Sequence, residues 1–263
     1  NTTGYIENYD AIQLPNIPEI PGMISEYEAK YLYWLTSNCF TGQGEIVELG
    51  TWLGKSSAYL GAGLRDSDKT VALNCYDLYL WNRNFNAHHS VRQIGLYLDH
   101  GADFQPYFEK NVRQVYTNLK VNKVSFERIK WTGGAIEILF VDAPKSQKNI
   151  CAVLEIFGEH LIPGVSIVIM QDFLHAPSYP LALVFSELHE ELEYLHAVPY
   201  SSSVAFKVKK KVLISRNDSQ FNINAWPKEK ILKSFDRIIH LLPEQSQDYL
   251  KPGVAMSLLD IGQ

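Results

Sequence analysis

The sequence predicts an α/β protein: a doubly wound, mostly parallel seven-stranded sheet that ends in an antiparallel hairpin. Three observations predict it. Short apolar runs alternate with stripes of helical period, the pattern of strand–helix–strand units. The apolar run from Val165 to Met170 suits a strand buried on both faces at the centre of a parallel sheet. Two final strands flank Ser201-Ser202-Ser203 and read as an antiparallel hairpin.

Each element has a local reason. Pro15, Pro18 and Pro21 keep residues 1–22 irregular. Ser25-Glu26-Tyr27-Glu28 is a capping box, and Ile24, Tyr31, Leu32 and Leu35 follow at helical spacing until Gly42 and Gly44. Ile46-Val47-Glu48-Leu49 reads as a buried strand ending at Gly50, and 55–64 as a short helix. A second strand, 71–76, ends at Asp77. An aromatic, irregular insert follows over 79–102. A helix is expected over 103–119, where Phe104, Phe108, Val112, Val115 and Leu119 share a stripe. Strands are expected at 123–129 and 136–141. Ile150, Val153, Leu154, Phe157 and Leu161 mark a helix stopped by Pro163-Gly164. After the 165–170 strand come a helix around 181–192, the hairpin strands 194–199 and 204–214, and a helix near 228–242. The expected organisation is an N-terminal segment 1–44, a core 45–214, and a C-terminal helical extension 215–263.

Composition excludes several classes. Its 263 residues, 46% of them hydrophobic, are enough for a core without disulfides or metals. With 16 Gly, 12 Pro and 12% aromatics, the chain is neither collagenous nor wholly disordered. Twenty-four basic against 29 acidic residues give a net charge of -5, which disfavours a nucleic-acid partner. Cys39, Cys75 and Cys151 are odd in number and show no CxxC spacing, so a reduced, cytoplasmic set is expected. No run is long enough to span a membrane. The first residue is Asn1, and no basic-then-apolar leader follows.

In open α/β sheets, ligands bind beyond the carboxyl ends of the strands, so the strand ends are where chemistry is sought. The first strand runs into Glu48-Leu49-Gly50-Thr51-Trp52-Leu53-Gly54-Lys55-Ser56-Ser57. Gly50 permits a sharp turn and close backbone approach, Gly54 starts the helix, and the helix start favours an anion. A phosphate loop needs four residues between its glycines; three lie between Gly50 and Gly54, so a nucleotide-dependent transferase using Gly54-Lys55-Ser56 is a weak alternative. Asp77 falls 27 residues after Gly50, where a carboxylate accepts from ribose hydroxyls. By itself it reads equally as a turn residue.

This stretch resembles motif I of class I S-adenosylmethionine-dependent methyltransferases, nearest in style to catechol-type and macrocin-type O-methyltransferases. The resemblance covers about residues 25–210 and implies a Rossmann-like core. It implies that Glu48 and Gly50 line the methionine part of the cofactor, with Thr51, Trp52 and Gly54 in the same loop. It further implies that Ser56 anchors the carboxylate and that Asp77 holds the ribose. In catechol-type enzymes the fourth strand ends in a magnesium-binding Asp, with a Lys three residues later as general base; Asp142 and Lys145 match. The family then shows two adjacent polar ligands, where this chain has Gln171-Asp172. The resemblance thus implies Asp142, Gln171 and Asp172 as the magnesium ligands, one carboxylate short of the family pattern.

Other candidates stand beside these. His175, just after Asp172, is an alternative base or ligand, and His88 and His89 sit in the insert. Tyr79, Trp81, Tyr97 and Trp131 are candidate aromatic walls for adenine or acceptor, with ordinary packing as the equal alternative. The expected function is transfer of a methyl group to a hydroxyl of a small-molecule acceptor. The alternative from another class is a non-catalytic binding protein of the same fold, which the Gln171 departure favours. The 228–242 helix face is expected to pack on the core or on a second copy in a homodimer.

Overall fold

A computed structural model describes residues 9–143 and 145–260. Residues 1–8, Pro144 and 261–263 lie outside it. The sheet is built from β1 (Glu45–Leu49), β2 (Leu73–Asp77), β3 (Leu119–Lys123), β4 (Ile136–Val141), β5 (Ile167–Met170), β6 (Leu192–Ala197) and β7 (Val204–Val208). Their spatial order is β3-β2-β1-β4-β5-β7-β6. The first five strands are parallel; β7 runs antiparallel to both β5 and β6. The order reverses between β1 and β4, which opens a crevice above their carboxyl ends.

Side-chain alternation divides the core. Val47, Leu49, Leu139, Val141, Val168 and Met170 belong to one apolar cluster, and Ile46, Ile138, Phe140, Ile167 and Ile169 to the other. Helices α1 (Glu26–Trp34), α2 (Lys55–Asp66) and α4 (Gln105–Arg113) cover the second face. Helices α5 (Gln147–Phe157), α6 (Tyr179–Glu187), α7 (Lys228–Ile239) and α8 (Glu244–Asp260) cover the first. Each fully buried Val, Leu or Ile contributes about 1.5–3 kcal/mol.

The capping box forms as expected: Ser25 Oγ accepts from Glu28 N, and Glu28 Oε2 accepts from Ser25 N. The other Glu28 oxygen accepts from Ser203 Oγ at 2.6 Å, so the start of α1 is tied to the start of β7. The N-terminal strap from Tyr9 reaches further, with Tyr9 OH bonded to His196 Nε2 of β6 at 2.9 Å.

Several expectations are corrected. Helix α4 stops at Arg113, and β3 occupies 119–123 where the end of the helix and the following turn were expected. Val115 and Leu119 do pack inward, so the stripe of apolar residues continued past the helix that began it. Residues 124–129 are a turn with one 3-10 segment, Phe126–Arg128, and only the first residue of the 123–129 span is in a strand. The last strand ends at Val208, because β6 begins at Leu192 and offers no partner beyond it. The insert is not wholly irregular: it holds a 3-10 segment (Arg83–Ala87) and the short α3 (His89–Gln93). The tail folds as α8. Among the described residues, Cys39, Cys75 and Cys151 form no disulfide. Among the described residues, no helix is long and apolar enough to cross a membrane.

Candidate active site

The loop after β1 is shaped by two glycines. Gly50 has φ +85°, and a Cβ there would lie 2.8 Å from that of Ala143 after β4. Gly54 has φ +99° and caps α2; its Cβ would meet Val112 at 2.3 Å. Only glycine fits either place. Between them Trp52 is left-handed as well, at φ +42°. Tyr79 (φ +52°), Asp172 (+59°) and Tyr200 (+54°) repeat this strain on the loops at the same end of the sheet. Bulky residues rarely adopt it, and such outliers gather at ligand sites.

Glu48 lies beneath the loop, fully buried. Its oxygens accept from Ser56 Oγ and Ser57 Oγ, both at 2.5 Å. Burial pushes its carboxyl up to about 7, against the pull of the two hydroxyls. Glu48 and Ser56 therefore bond to each other and pin the loop to the first turn of α2. Asp77 does similar work from β2. Its Oδ2 accepts from Thr51 N (2.9 Å) and Trp52 N (3.0 Å), and its Oδ1 from Tyr79 N (2.9 Å). A carboxylate has about four acceptor positions, so one remains for a ligand hydroxyl.

Thr51, Trp52, Lys55, Ser56 and Asp142 line a narrow cleft of about 30 Å³, roofed by Gly22, Met23 and Ile24 of the strap. Lys55 Nζ donates to the Ile24 carbonyl at 3.1 Å and holds the strap down. Burial lowers its pKa. The Trp52 ring packs against Trp81, Phe85 and His88, so the insert clamps the loop from the other side. The donor set suits S-adenosylmethionine: a free acceptor position on Asp77, unpaired amides at the start of α2, and backbone that glycine leaves bare. The cleft is too small for that molecule until the strap or Trp52 shifts.

Lys145 stands at the centre of the second group. Its ammonium lies 3.2 Å from Asp142 Oδ1, 3.1 Å from Gln171 Oε1 and 2.9 Å from Asp172 Oδ2. The three residues expected to hold magnesium do converge, and they converge on this ammonium. The contacts to Asp142 and Gln171 are hydrogen bonds, and the one to Asp172 is an ion pair. Among the described residues, no group of three His, Cys, Asp or Glu is arranged for a metal. Magnesium does not fit while Lys145 fills the focus of the oxygens and an amide stands in place of one carboxylate. Burial pushes the Asp142 carboxyl up to about 7; Lys145 pulls it down and Asp172 pushes it further up.

The remaining candidates divide. His175 is exposed and borders a separate cavity with Ser202, whose hydroxyl donates to Asp172 Oδ1 at 2.9 Å. His88 packs on Trp52, and burial lowers its pKa. His89 lines a groove beside the strap. Tyr79 and Trp81 are buried supports of the loop, and Tyr97 is 74% exposed. Trp131 is not brought to the site. Its Nε1 donates to Gly134 O just before β4, and its ring packs on Phe157 and His160 at the opposite end of the sheet. Sequence reasoning missed Ser202, the strap and α8. Ser202 carried only a turn signal, and no local pattern encodes what a distant segment covers.

Residues 47–172 match the model of a methyltransferase domain family. No curated protein matches the sequence. Among solved structures, the O-methyltransferase NovP aligns with TM-score 0.57 at 13% identity, over 72% of this chain and 82% of NovP. CalS11, a TDP-rhamnose 3'-O-methyltransferase of calicheamicin biosynthesis, aligns at TM-score 0.48 and 12% identity over 68% and 76%. The S-adenosylhomocysteine-bound methyltransferase PaMTH1 of Podospora anserina gives 0.47 and 16% over 72% and 80%. At these identities the likeness is one of fold. The family match and the strand order together make residues 47–172 the core of a class I S-adenosylmethionine-dependent methyltransferase.

Proposed function

We propose that the chain methylates a hydroxyl of a small-molecule acceptor and needs no metal to do so. One observation carries this reading: the Lys145 ammonium sits among Asp142, Gln171 and Asp172, and Asp142 also lines the glycine-loop cleft. S-adenosylmethionine supplies a methyl group already activated by its sulfonium. Asp77 and the amides of the loop hold its ribose side, and the start of α2 holds its carboxylate. Asp142 accepts the hydroxyl proton as the oxygen–carbon bond forms and the carbon–sulfur bond breaks. Lys145 lies where it stabilises negative charge growing on the acceptor oxygen. Glu48 and Ser56 act from below, by fixing the loop.

Calorimetric titration with S-adenosylhomocysteine tests the reading. Saturable one-site binding is expected. Asp77→Ala removes the acceptor of three backbone N–H bonds and the ribose position together, so affinity should fall roughly a hundredfold. Unchanged affinity in that variant would overturn the assignment of the cleft.

A further inference from the structure

A cavity of about 440 Å³ lies between α8 and the loops that follow β5 and β6. It falls within the range of small-ligand sites, about 300–1,000 Å³. Leu174, Ala176 and Pro252 give it apolar walls. Tyr200 and Tyr249 line it with rings that are 74% and 56% exposed. The Tyr200 ring packs on Tyr27 at 5.1 Å on one side, and what it and Tyr249 leave exposed is stacking surface beside the cavity. No lysine or arginine lines it, and its one acid, Asp248, is paired with Lys251 at 2.5 Å. Without a lysine or arginine on its wall, the cavity favours an uncharged ligand over a phosphate or a carboxylate.

The polar end of the cavity faces the reaction centre. Ser202 lines it and donates to Asp172 Oδ1, while Asp172 Oδ2 holds Lys145. Lys145 in turn holds Asp142, which borders the methyl-donor cleft. One carboxylate thus links the cavity to the ammonium, and the cluster borders both openings. His175 adds a second polar group at that end.

We propose that this cavity binds the acceptor, and that the acceptor is an uncharged aromatic ring bearing a hydroxyl. The ring lies between Tyr200 and Tyr249, and the hydroxyl points past Ser202 toward Asp172 and Lys145. The inference rests on the methyl-transfer reading for its chemistry; the binding itself does not. It gives α8 a part in substrate choice, and a strained Tyr200 (φ +54°) a reason.

The test uses the full chain and 2-naphthol, with 2-naphthyl phosphate as the charged counterpart. Binding is followed by calorimetry without cofactor. We expect 2-naphthol to saturate one site and the phosphate not to bind. Tyr249→Ala and Tyr200→Ser should each weaken 2-naphthol about tenfold or more. Tyr249→Phe should keep the affinity, because it keeps the ring. All three variants should bind S-adenosylhomocysteine as the parent does, which also reports that they fold. Absent 2-naphthol binding, parental affinity retained in the two truncating variants, or preferred binding of the phosphate would overturn the proposal. Failure of S-adenosylhomocysteine to bind, with 2-naphthol still bound at the tyrosines, would instead sink the methyl-transfer reading and leave the cavity assigned.

Discussion

At the scale of single residues, Lys145 decides the chemistry. In the family it resembles, an Asp and a Lys at this spacing share the work with a divalent ion. Here the ammonium occupies the point on which Asp142, Gln171 and Asp172 converge. Removing it should reveal what the oxygens are able to bind. Lys145→Ala leaves two carboxylates and an amide oxygen around one point, with no counter-charge. Such a variant should acquire a Mn2+ site detectable by electron paramagnetic resonance, and Asp142→Asn added to it should abolish that site. The parent chain should show no such Mn2+ binding. A parent that binds Mn2+, and loses it on Asp142→Asn, would refute the metal-free reading. Asp142, Lys145 and Asp172 were legible in the sequence because they sit at strand ends in a spaced motif. Their mutual arrangement was not, since a lysine reads the same whether it is solvated or set among carboxylates. Trp131 failed for a related reason: an aromatic residue between two strands does not announce which end of the sheet it packs against.

At the scale of elements, legibility follows locality. The capping box of α1, the apolar strands and the glycine loop are written in contiguous residues, and they formed where the pattern placed them. Strand β3 was displaced because Val115 and Leu119 prolong the stripe of α4 by packing inward outside any helix. Helix α8 was obscured by Pro252-Gly253 within it. Helix α2 shows how neighbours reverse a local rule. Gly63 lies in its interior, where glycine normally costs about 1 kcal/mol relative to alanine. A Cβ at Gly63 would stand 2.0 Å from Thr36 Oγ1, 2.7 Å from Tyr33 O and 2.9 Å from Ser37 N. Two of those atoms are backbone and have nowhere to go. Gly63→Ala is therefore expected to destabilise the fold by roughly 1–3 kcal/mol, measured by urea unfolding. A stabilised variant would mean that α1 and α2 are not packed this closely.

At the scale of the whole molecule, buried Glu48 and half-buried His196 pull stability in opposite directions across the same pH range. His196 on β6 is bonded to Tyr9, and burial pushes its imidazole down to about 4 from an ordinary 6.5. Between those values the unfolded chain binds more protons there than the folded one. Its contribution to stability therefore rises with pH from about 4 to 6.5 and is lost on acidification. Glu48, under the loop, has its carboxyl raised from 4.5 to about 7. Over that window the folded chain binds the extra proton, so the contribution of Glu48 falls as pH rises. Each shift corresponds to at most roughly 3 kcal/mol. In the parent chain the two slopes oppose one another between about 4.5 and 6.5. Replacing one of the two should tip the balance toward the other, over the falling contribution of Asp142, whose carboxyl burial also raises to about 7. Glu48→Gln should give a melting temperature that climbs more steeply with pH over this interval than that of the parent. His196→Gln should give one that falls more steeply. The histidine ties the strap to β6 at the edge of the sheet, and the carboxylate braces the glycine loop from β1 in its interior. A single melting transition responding to both would mean that strap and loop unfold together with the core. Separate transitions, with only the lower one moved by His196→Gln, would mean that the strap opens on its own, as a cleft of about 30 Å³ requires before it admits a cofactor.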